Sequence, residues 1–224
     1  MVPVESPPPA AAQAVFGSRL DLATRYAGLL AGAGIERGLI GPREVPRLWD
    51  RHLLNSAAIS PVFPEGSRIV DVGTGAGLPG VVLAIARPDL RVDLVESLAR
   101  RVSFLAEVVA ILGLADQVRV AHGRAEDPRM VAEVGGAQWV TARAVAPLDR
   151  LVGWCFPLLS PGGTLVAIKG AAAAAEATTH QRAIDRLGGS TAVVKQFEVG
   201  GGEEPVTAVL VARERLSRSM KGRS

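Results

Sequence analysis

The chain has 224 residues and a mass of 23.3 kDa, the size of one domain with a short appendage. Hydrophobic residues make up 48% and charged residues 21%, which excludes wholesale disorder. The single cysteine, Cys155, excludes an internal disulfide and a cysteine-rich zinc site, so we expect no metal site. No apolar run reaches the roughly 18 residues of a membrane span, and the start of the chain does not read as a signal peptide. We therefore expect a cytoplasmic protein with no membrane contact.

The positive charge is concentrated at the end of the chain. The formal net charge is +3, but the twelve residues 213–224 hold five cations and one anion, a net of +4 that leaves −1 for the rest. Residues 214–224 are therefore expected to form a basic flexible tail. Composition permits a nucleic-acid partner without requiring one.

The first 60 residues predict a helical cap behind a leader. Residues 1–14 are rich in proline and alanine and hold few large apolar side chains, so we expect them to be mobile. Apolar residues recur at helical spacing from Phe16 to the glycines at 32–34, and a second helix is predicted over residues 43–59. Residues 15–60 are thus expected to form an N-terminal helical cap.

From residue 61 onward, short apolar strands alternate with helices. The predicted strands cover residues 68–72, 91–95, 118–121, 138–142, 163–168, 191–197 and 206–213, and the predicted helices cover residues 79–86, 98–112, 148–158 and 171–187. This alternation predicts a parallel sheet with helices on both faces. The last two strands are joined across glycines 200–202 with no room for a crossover helix, so they predict an antiparallel hairpin. Such a Rossmann-like α/β sheet is typical of methyltransferases rather than of dehydrogenases.

The strongest local signal is the glycine-rich loop at residues 71–80, which reads DVGTGAGLPG between the first strand and the first helix. Glycines there let the backbone approach a ligand, and the loop also fits the dinucleotide fingerprint. However, Asp71 at the start of the loop would repel a pyrophosphate. A cationic donor, S-adenosylmethionine, tolerates that carboxylate, so we predict that Asp71, Gly73, Gly75 and Gly77 contribute to a site for this cofactor.

Polar residues follow three further strands. Glu96 comes 25 residues after Asp71, where it either accepts the ribose hydroxyls of the cofactor or caps the next helix. Residues 122–127 either bracket an adenine ring or form an ordinary surface loop. Arg143 ends the fourth strand and faces the ligand crevice, which makes it the first candidate for the reacting site, with a structural salt bridge as the alternative.

The sequence excludes some of the atoms that could accept the methyl group. Methylation of an exocyclic adenine amine uses an Asn/Asp-Pro-Pro-aromatic loop, which residues 141–144 do not resemble. Carbon 5 of a pyrimidine requires a cysteine nucleophile, and Cys155 lies in an amphipathic stretch where burial is expected. A ring nitrogen such as nitrogen 7 of guanine needs no proton removed and suits a site without an obvious base.

The chain resembles the RsmG family, formerly glucose-inhibited division protein B. The stretches that carry this resemblance are residues 51–56, 71–80, 100–105, 141–144 and 167–170. The resemblance implies that residues 61–213 form a class I S-adenosylmethionine-dependent methyltransferase domain that methylates nitrogen 7 of a guanine in small-subunit (16S) ribosomal RNA. It also implies cofactor contacts at Gly73, Leu78, Ala125, Glu126 and Arg143. Residues 36–42 depart from the pattern of many members, which leaves the RNA contacts of that segment open.

An RNA acceptor requires cations around the crevice. Arg47, Arg51 and His52 lie on the predicted cap helix and Lys169 ends a strand, so we expect His52 and Lys169 to join Arg143 in catalysis. The expected partner is 16S rRNA or the assembled small subunit, and the protein is expected to be a monomer. A small-molecule methyltransferase with the same cofactor is the alternative, followed by a dinucleotide-dependent reductase.

Overall fold

A computed structural model describes residues 7–143, 146–198 and 204–214. The predicted glycine connection at 200–202 lies outside the described residues, as do the first six residues of the predicted leader and all of the basic tail except Glu214. Within the described part of the chain, no helix combines the length and apolar character needed to cross a bilayer.

Seven strands form one sheet in the order β3-β2-β1-β4-β5-β7-β6. The strands are β1 Arg68–Val72, β2 Arg91–Glu96, β3 Val118–His122, β4 Ala137–Arg143, β5 Leu159–Lys169, β6 Val193–Phe197 and β7 Val206–Ala212. β1 to β5 pair in parallel, whereas β7 pairs antiparallel with both β5 and β6. The predicted Rossmann-like sheet with an antiparallel hairpin is therefore confirmed.

Eight α-helices surround this sheet in the described residues. They are α1 Ala10–Phe16, α2 Leu20–Leu29, α3 Asn55–Ala57, α4 Gly80–Ala86, α5 Ala99–Leu112, α6 Pro128–Val134, α7 Leu148–Cys155 and α8 Ala173–Arg186. One core cluster lies between the cap, α4, α5 and the sheet, and a second lies under α6, α7 and α8. The inner strands β1 and β2 are buried on both sides because both faces of the sheet are covered.

The N-terminal cap differs from the prediction in two ways. Helix α1 begins at Ala10, so the end of the expected mobile leader is helical, with Ala12 and Phe16 buried. Phe16 packs edge-on against Trp49 with 6.4 Å between ring centroids, and this aromatic contact holds α1 to the cap. The second cap segment is a 3₁₀ turn at Pro42–Arg47 and a π-helical segment at Leu48–Leu54 before α3, not one α-helix. Pro46 lies inside the first of these turns and lacks the N–H that a regular helix requires.

Helix α6 was not predicted. Its N-cap is Asp127, whose carboxylate accepts a hydrogen bond from the backbone N–H of Arg129 at 2.8 Å, and Pro128 follows at the first helical position. α6 completes the crossover between the parallel strands β3 and β4, so every parallel connection in the sheet contains a helix.

Candidate active site

The carboxyl ends of four parallel strands meet at one cavity of about 700 Å³. Gly73 follows β1, while Glu96, Arg143 and Lys169 end β2, β4 and β5, and all four residues line this cavity. The cap supplies the opposite wall through residues that include Glu44, Arg51, His52 and Asn55. The ligand crevice expected at this edge of the sheet therefore has the cap as one of its walls.

The glycine-rich loop forms the floor of the cavity. Gly73 and Gly75 have φ angles of 64° and 61°, which favour glycine, and the N–H of Gly73 donates to the carbonyl of Val95 at 2.9 Å. Gly73, Gly75 and Leu78 line the cavity. Gly77 has a φ angle of 104° and packs where a Cβ would contact Tyr26 and Val81, so its backbone faces the cap.

Asp71 lies beneath the loop instead of facing the cavity. Its side chain is fully buried, and its two carboxylate oxygens accept from the backbone N–H of Gly80 at 2.9 Å and the hydroxyl of Thr141 at 2.9 Å. Burial raises the pKa of this carboxyl to about 6. Asp71 thus joins β1, the start of α4 and β4, which differs from the direct cofactor contact expected from the sequence.

Glu96 is oriented by the backbone around it. Its carboxylate accepts hydrogen bonds from the N–H groups of Gly75 at 3.0 Å, Ser97 at 2.9 Å and Leu98 at 3.0 Å, and it is 3% exposed. Arg101 lies 3.4 Å from the same carboxylate. A carboxylate has about four acceptor sites, and the three backbone donors and Arg101 occupy them, so a hydroxyl donor from the cavity would have to replace the long contact of Arg101.

A second cavity of about 170 Å³ opens beside the first, and Gly73 and Ser97 line both. Its walls include Val95, Ala125, Glu126 and the side of Trp154. Ala125 is buried, whereas the half-exposed Glu126 pairs with Arg124 at 3.1 Å. The predicted loop at residues 122–127 therefore lines a largely apolar pocket that suits a flat ring.

The structure brings Arg143 and His52 together. One terminal nitrogen of Arg143 lies 2.8 Å from Nδ1 of His52, and the other donates to the carbonyl of Arg51 at 3.3 Å. Nε2 of His52 lies 2.8 Å from Glu44, whose other oxygen pairs with Arg51 at 3.2 Å. Burial lowers the pKa of His52, and the charge of Arg143 lowers it further. The end of β4 is thus connected to the cap by a hydrogen-bonded chain.

Lys169 lines the same cavity, but its ammonium group is already engaged. Nζ donates to the carbonyl of Ala146 at 2.7 Å and pairs with Glu176 at 2.8 Å. Glu176 also accepts from the backbone N–H of Leu148 at the start of α7. Lys169 therefore fastens the connection between β4 and α7, and one of its three donors is left for a ligand.

Several site residues were not predicted from the sequence. Tyr26, Glu44, Arg101 and Trp154 contact the loop, the His52 chain, Glu96 and the second cavity, respectively. The spacing of Arg101, five residues after Glu96, is the kind of signal that could have indicated an ion pair at the start of α5. The roles of Tyr26 and Glu44 depend on how the cap docks on the sheet, which local spacing does not specify.

Comparison with known proteins agrees with the resemblance found in the sequence. The family model described as "GidB: rRNA small subunit methyltransferase G" matches residues 19–204. A curated relative from Salinispora arenicola, named "Ribosomal RNA small subunit methyltransferase G", is 56% identical across 96% of this chain and 91% of its own length. A relative of the same name from Rhodococcus jostii is 51% identical across 99% of this chain and 96% of its own length.

Solved structures share the fold at low sequence identity. The S-adenosylmethionine-dependent methyltransferase SibL gives a TM-score of 0.60 at 19% identity, over 85% of this chain and 62% of its own. A putative S-adenosyl-L-methionine-dependent methyltransferase from Methanococcus maripaludis gives 0.54 at 13% identity, over 85% of this chain and 94% of its own. The family match covers most of the chain, and the chain therefore belongs to the rRNA small subunit methyltransferase G family.

Proposed function

We propose that this protein transfers a methyl group from S-adenosylmethionine to nitrogen 7 of a specific guanine in small-subunit (16S) ribosomal RNA. It acts as a monomer in the cytoplasm, on the RNA or on the small subunit. Membership of the rRNA small subunit methyltransferase G family supports the RNA acceptor. Both ring nitrogens of His52 already contact other side chains, so this histidine is not free to act as a base. This supports a ring nitrogen of the RNA, which loses no proton, as the methyl acceptor.

The cavities fit the proposed cofactor. Gly73 and Ser97 line both cavities, so an elongated ligand can extend from the apolar pocket at Ala125 and Trp154 to the larger space near Arg143. Arg101 lines the larger cavity, and its Nε is buried without a hydrogen-bond partner among the described residues. A ligand that offers an acceptor along this wall would satisfy it.

The protein groups that would hold the cofactor follow from this arrangement. Glu96 would accept the ribose hydroxyls, the pocket at Ala125 and Glu126 would take the adenine ring, and the loop from Gly73 to Leu78 would face the amino-acid part. Bound S-adenosylmethionine supplies an electrophilic methyl group on a sulfonium that departs as a neutral thioether.

The proton chemistry of the site matches a ring nitrogen. Nitrogen 7 of guanine carries a lone pair, so it would form its bond to the methyl carbon as the carbon–sulfur bond broke, and no base would be needed to remove a proton. Both nitrogens of His52 are already engaged, with Arg143 and with Glu44. An exocyclic amine would need a free base, whereas nitrogen 7 needs only position and a polarised surrounding.

Arg143 is placed to contact the RNA acceptor in the larger cavity. A guanidinium carries five N–H donors, and two nitrogens of Arg143 contact the cap while the residue lines the cavity. The remaining donors can hold a guanine or phosphate oxygen of the acceptor nucleotide. The function of Arg143 in this proposal is to orient the nucleotide.

The test is methylation of defined RNA acceptors. Small subunits and protein-free 16S rRNA from a strain lacking this activity are incubated with the protein and S-adenosylmethionine, and the nucleosides are analysed by mass spectrometry. We expect one 7-methylguanosine per RNA with wild type, a loss of at least about 100-fold with Arg143→Ala, and unchanged methylation with Arg182→Ala on the exposed face of α8. Cofactor binding without methylation of either RNA would contradict the proposal and favour a small-molecule acceptor.

A further inference from the structure

The link between the cap and the end of β4 has a defined direction of hydrogen bonding. A guanidinium has donors and no acceptor, so Nδ1 of His52 must accept the 2.8 Å bond from Arg143. The proton of a neutral imidazole then lies on Nε2, from which it donates to Glu44 at 2.8 Å. The contacts therefore fix one tautomer of His52.

The local backbone makes both contacts to Arg143 possible. Arg51 and His52 lie in the π-helical segment Leu48–Leu54, a geometry that is uncommon and is often found at functional sites. From this segment the carbonyl of Arg51 and the ring of His52 both reach the guanidinium. Two acceptors on adjacent residues hold the planar group in one orientation.

We propose that Glu44 and His52 are positioning residues that hold Arg143 in its working orientation through the Nε2–H tautomer of His52. This proposal rests on the proposed function, because it assigns Arg143 to the acceptor nucleotide. The proposal gives the cap a specific function, because the cap carries the hydrogen-bond acceptors that orient Arg143 of the methyltransferase domain.

Burial, together with the neighbouring arginines, lowers the pKa of His52 and keeps its ring neutral near neutral pH. Arg143 faces it from β4, Glu44 from the 3₁₀ turn, and Arg51 from the same segment. Burial and the charge of Arg143 lower the pKa of His52, while the hydrogen bond to Glu44 opposes this shift. Protonation at Nδ1 would place an N–H against the guanidinium and break the contact. The rate of methylation should therefore decrease as the pH is lowered and His52 becomes protonated.

Two variants of His52 distinguish the loss of the hydrogen-bond acceptor from the loss of the ring itself. In His52→Asn the side-chain oxygen occupies the place of Nδ1 and still accepts from Arg143, but it does not titrate. In His52→Ala the acceptor is lost. Glu36→Gln changes an exposed carboxylate of the cap outside this chain of contacts and serves as the control.

The kinetic test measures kcat, KM for the small subunit and the pH profile, with the Kd of S-adenosylmethionine determined separately. We expect His52→Ala to lower kcat by at least about tenfold with the cofactor Kd unchanged. We expect His52→Asn to recover most of kcat and to lose the acidic fall of activity that wild type shows. A wild-type kcat and an unchanged acidic fall in His52→Ala would overturn the proposal.

The tautomer of His52 can also be measured directly in the wild-type protein. This measurement does not depend on activity or on whether a variant folds. Long-range ¹H–¹⁵N spectra of the wild-type protein report which ring nitrogen carries the proton, and the chain has only 3 histidines, so the His52→Asn spectrum assigns the signal. We expect Nδ1 unprotonated in wild type and also in Glu44→Ala, where Arg143 still requires an acceptor at this nitrogen. A proton on Nδ1 of wild type would overturn the proposal. A wild type with the expected tautomer that methylates no RNA would instead contradict the proposed function.

Discussion

The hydroxyl of Tyr26 donates a hydrogen bond to the carbonyl oxygen of Ala76 at 2.8 Å, and both residues are buried. Tyr26 lies on α2 in the cap, whereas Ala76 lies in the glycine-rich loop between β1 and α4. Burial raises the pKa of Tyr26 far above its ordinary value, so the hydroxyl remains a donor. The cap therefore supports the glycine-rich loop from above, in addition to forming one wall of the cavity.

Tyr26→Phe removes this bond and leaves the carbonyl of Ala76 without its partner. We expect the free energy of unfolding to fall by about 1–2 kcal/mol. The Kd of S-adenosylmethionine should rise by about threefold to tenfold because the loop is held less firmly. Urea unfolding and titration calorimetry measure the two effects.

The control for Tyr26→Phe is Thr24→Val on the same helix. The hydroxyl of Thr24 donates to the carbonyl of Leu20 at 3.0 Å and does not touch the loop. This variant should leave the Kd of the cofactor unchanged. An unchanged Kd in Tyr26→Phe as well would show that the loop does not depend on the cap.

Glu96→Gln tests the orientation of the proposed ribose contact. Both carboxylate oxygens of Glu96 accept from backbone N–H groups, and an amide has only one acceptor oxygen. The amide NH₂ would therefore face an N–H of Gly75 or of Ser97. We expect the affinity for S-adenosylmethionine to fall by at least about tenfold.

Titration calorimetry measures this loss, with Glu133→Gln as a matched change at an exposed carboxylate. Glu133 lies on α6, and among the described residues its carboxylate forms only a 3.9 Å ion pair with Arg119. A Kd within about twofold of wild type in Glu96→Gln would remove Glu96 from the cofactor site.

The positions of the glycine-rich loop, Glu96 and Arg143 could be predicted from the sequence because each follows directly from a strand end. Parallel strands bring their carboxyl ends to one edge, so three local signals define one place in the fold. Helix α6 could also have been predicted, since Asp127 and Pro128 are a capping residue and a first-turn proline.

The side of the sheet that the Asp71 side chain faces could not be predicted from the sequence of β1. This strand is buried on both faces, so alternation does not distinguish the side chain that faces α4 and β4 from one that faces a ligand. Glu44 contacts Arg51 and His52, seven and eight residues later, through the irregular 3₁₀ and π-helical segments of the cap. The contact between Tyr26 and Ala76 spans 50 residues and depends on how the cap docks on the loop. Such long-range packing has no local sequence signal.

Asp71→Asn tests the buried carboxyl through the pH dependence of stability. Burial raises the pKa of Asp71 from its ordinary value of 3.8 to about 6, so the folded state holds the proton more tightly than the unfolded chain. The contribution of Asp71 to stability is therefore largest below about pH 4, declines up to about pH 6 and is constant above. An asparagine can accept from Gly80 and donate to Thr141 without ionising.

We expect Asp71→Asn to match wild type near pH 4 and to exceed it by up to about 3 kcal/mol above pH 6. Urea unfolding of both proteins across this range measures the difference. If the gap between them did not change with pH, the carboxyl would not titrate in the folded protein as its burial indicates.

Lys169→Ala removes the ammonium group that joins Ala146 and Glu176. We expect the free energy of unfolding to fall by about 1–3 kcal/mol, because these partners are half-buried and lose a charged donor. Lys195→Ala on the exposed face of β6 is the matched control and should have no effect. If the two variants were equally stable, Lys169 would not support the β4–α7 connection. A function in catalysis would then remain for this residue.

Gly77→Ala tests the close approach between the glycine-rich loop and the cap. A Cβ at Gly77 would lie 2.6 Å from Cγ2 of Val81 and 2.8 Å from the hydroxyl of Tyr26, and the φ angle of 104° disfavours any other residue. We expect the free energy of unfolding to fall by about 2–4 kcal/mol. The Tyr26–Ala76 bond should also be disturbed, so the affinity for S-adenosylmethionine should fall in the same variant.

Gly153→Ala provides the matched control for Gly77→Ala. Gly153 lies within α7, where a Cβ would meet nothing within 4 Å. Alanine stabilises a helix relative to glycine, so this variant should gain about 0.5–1 kcal/mol and keep the wild-type Kd. Urea unfolding and titration calorimetry on the pair separate the general effect of a methyl group from the specific contact. If Gly77→Ala retained wild-type stability and affinity, the loop would have to move away from the cap at no cost, contrary to the packing around Tyr26.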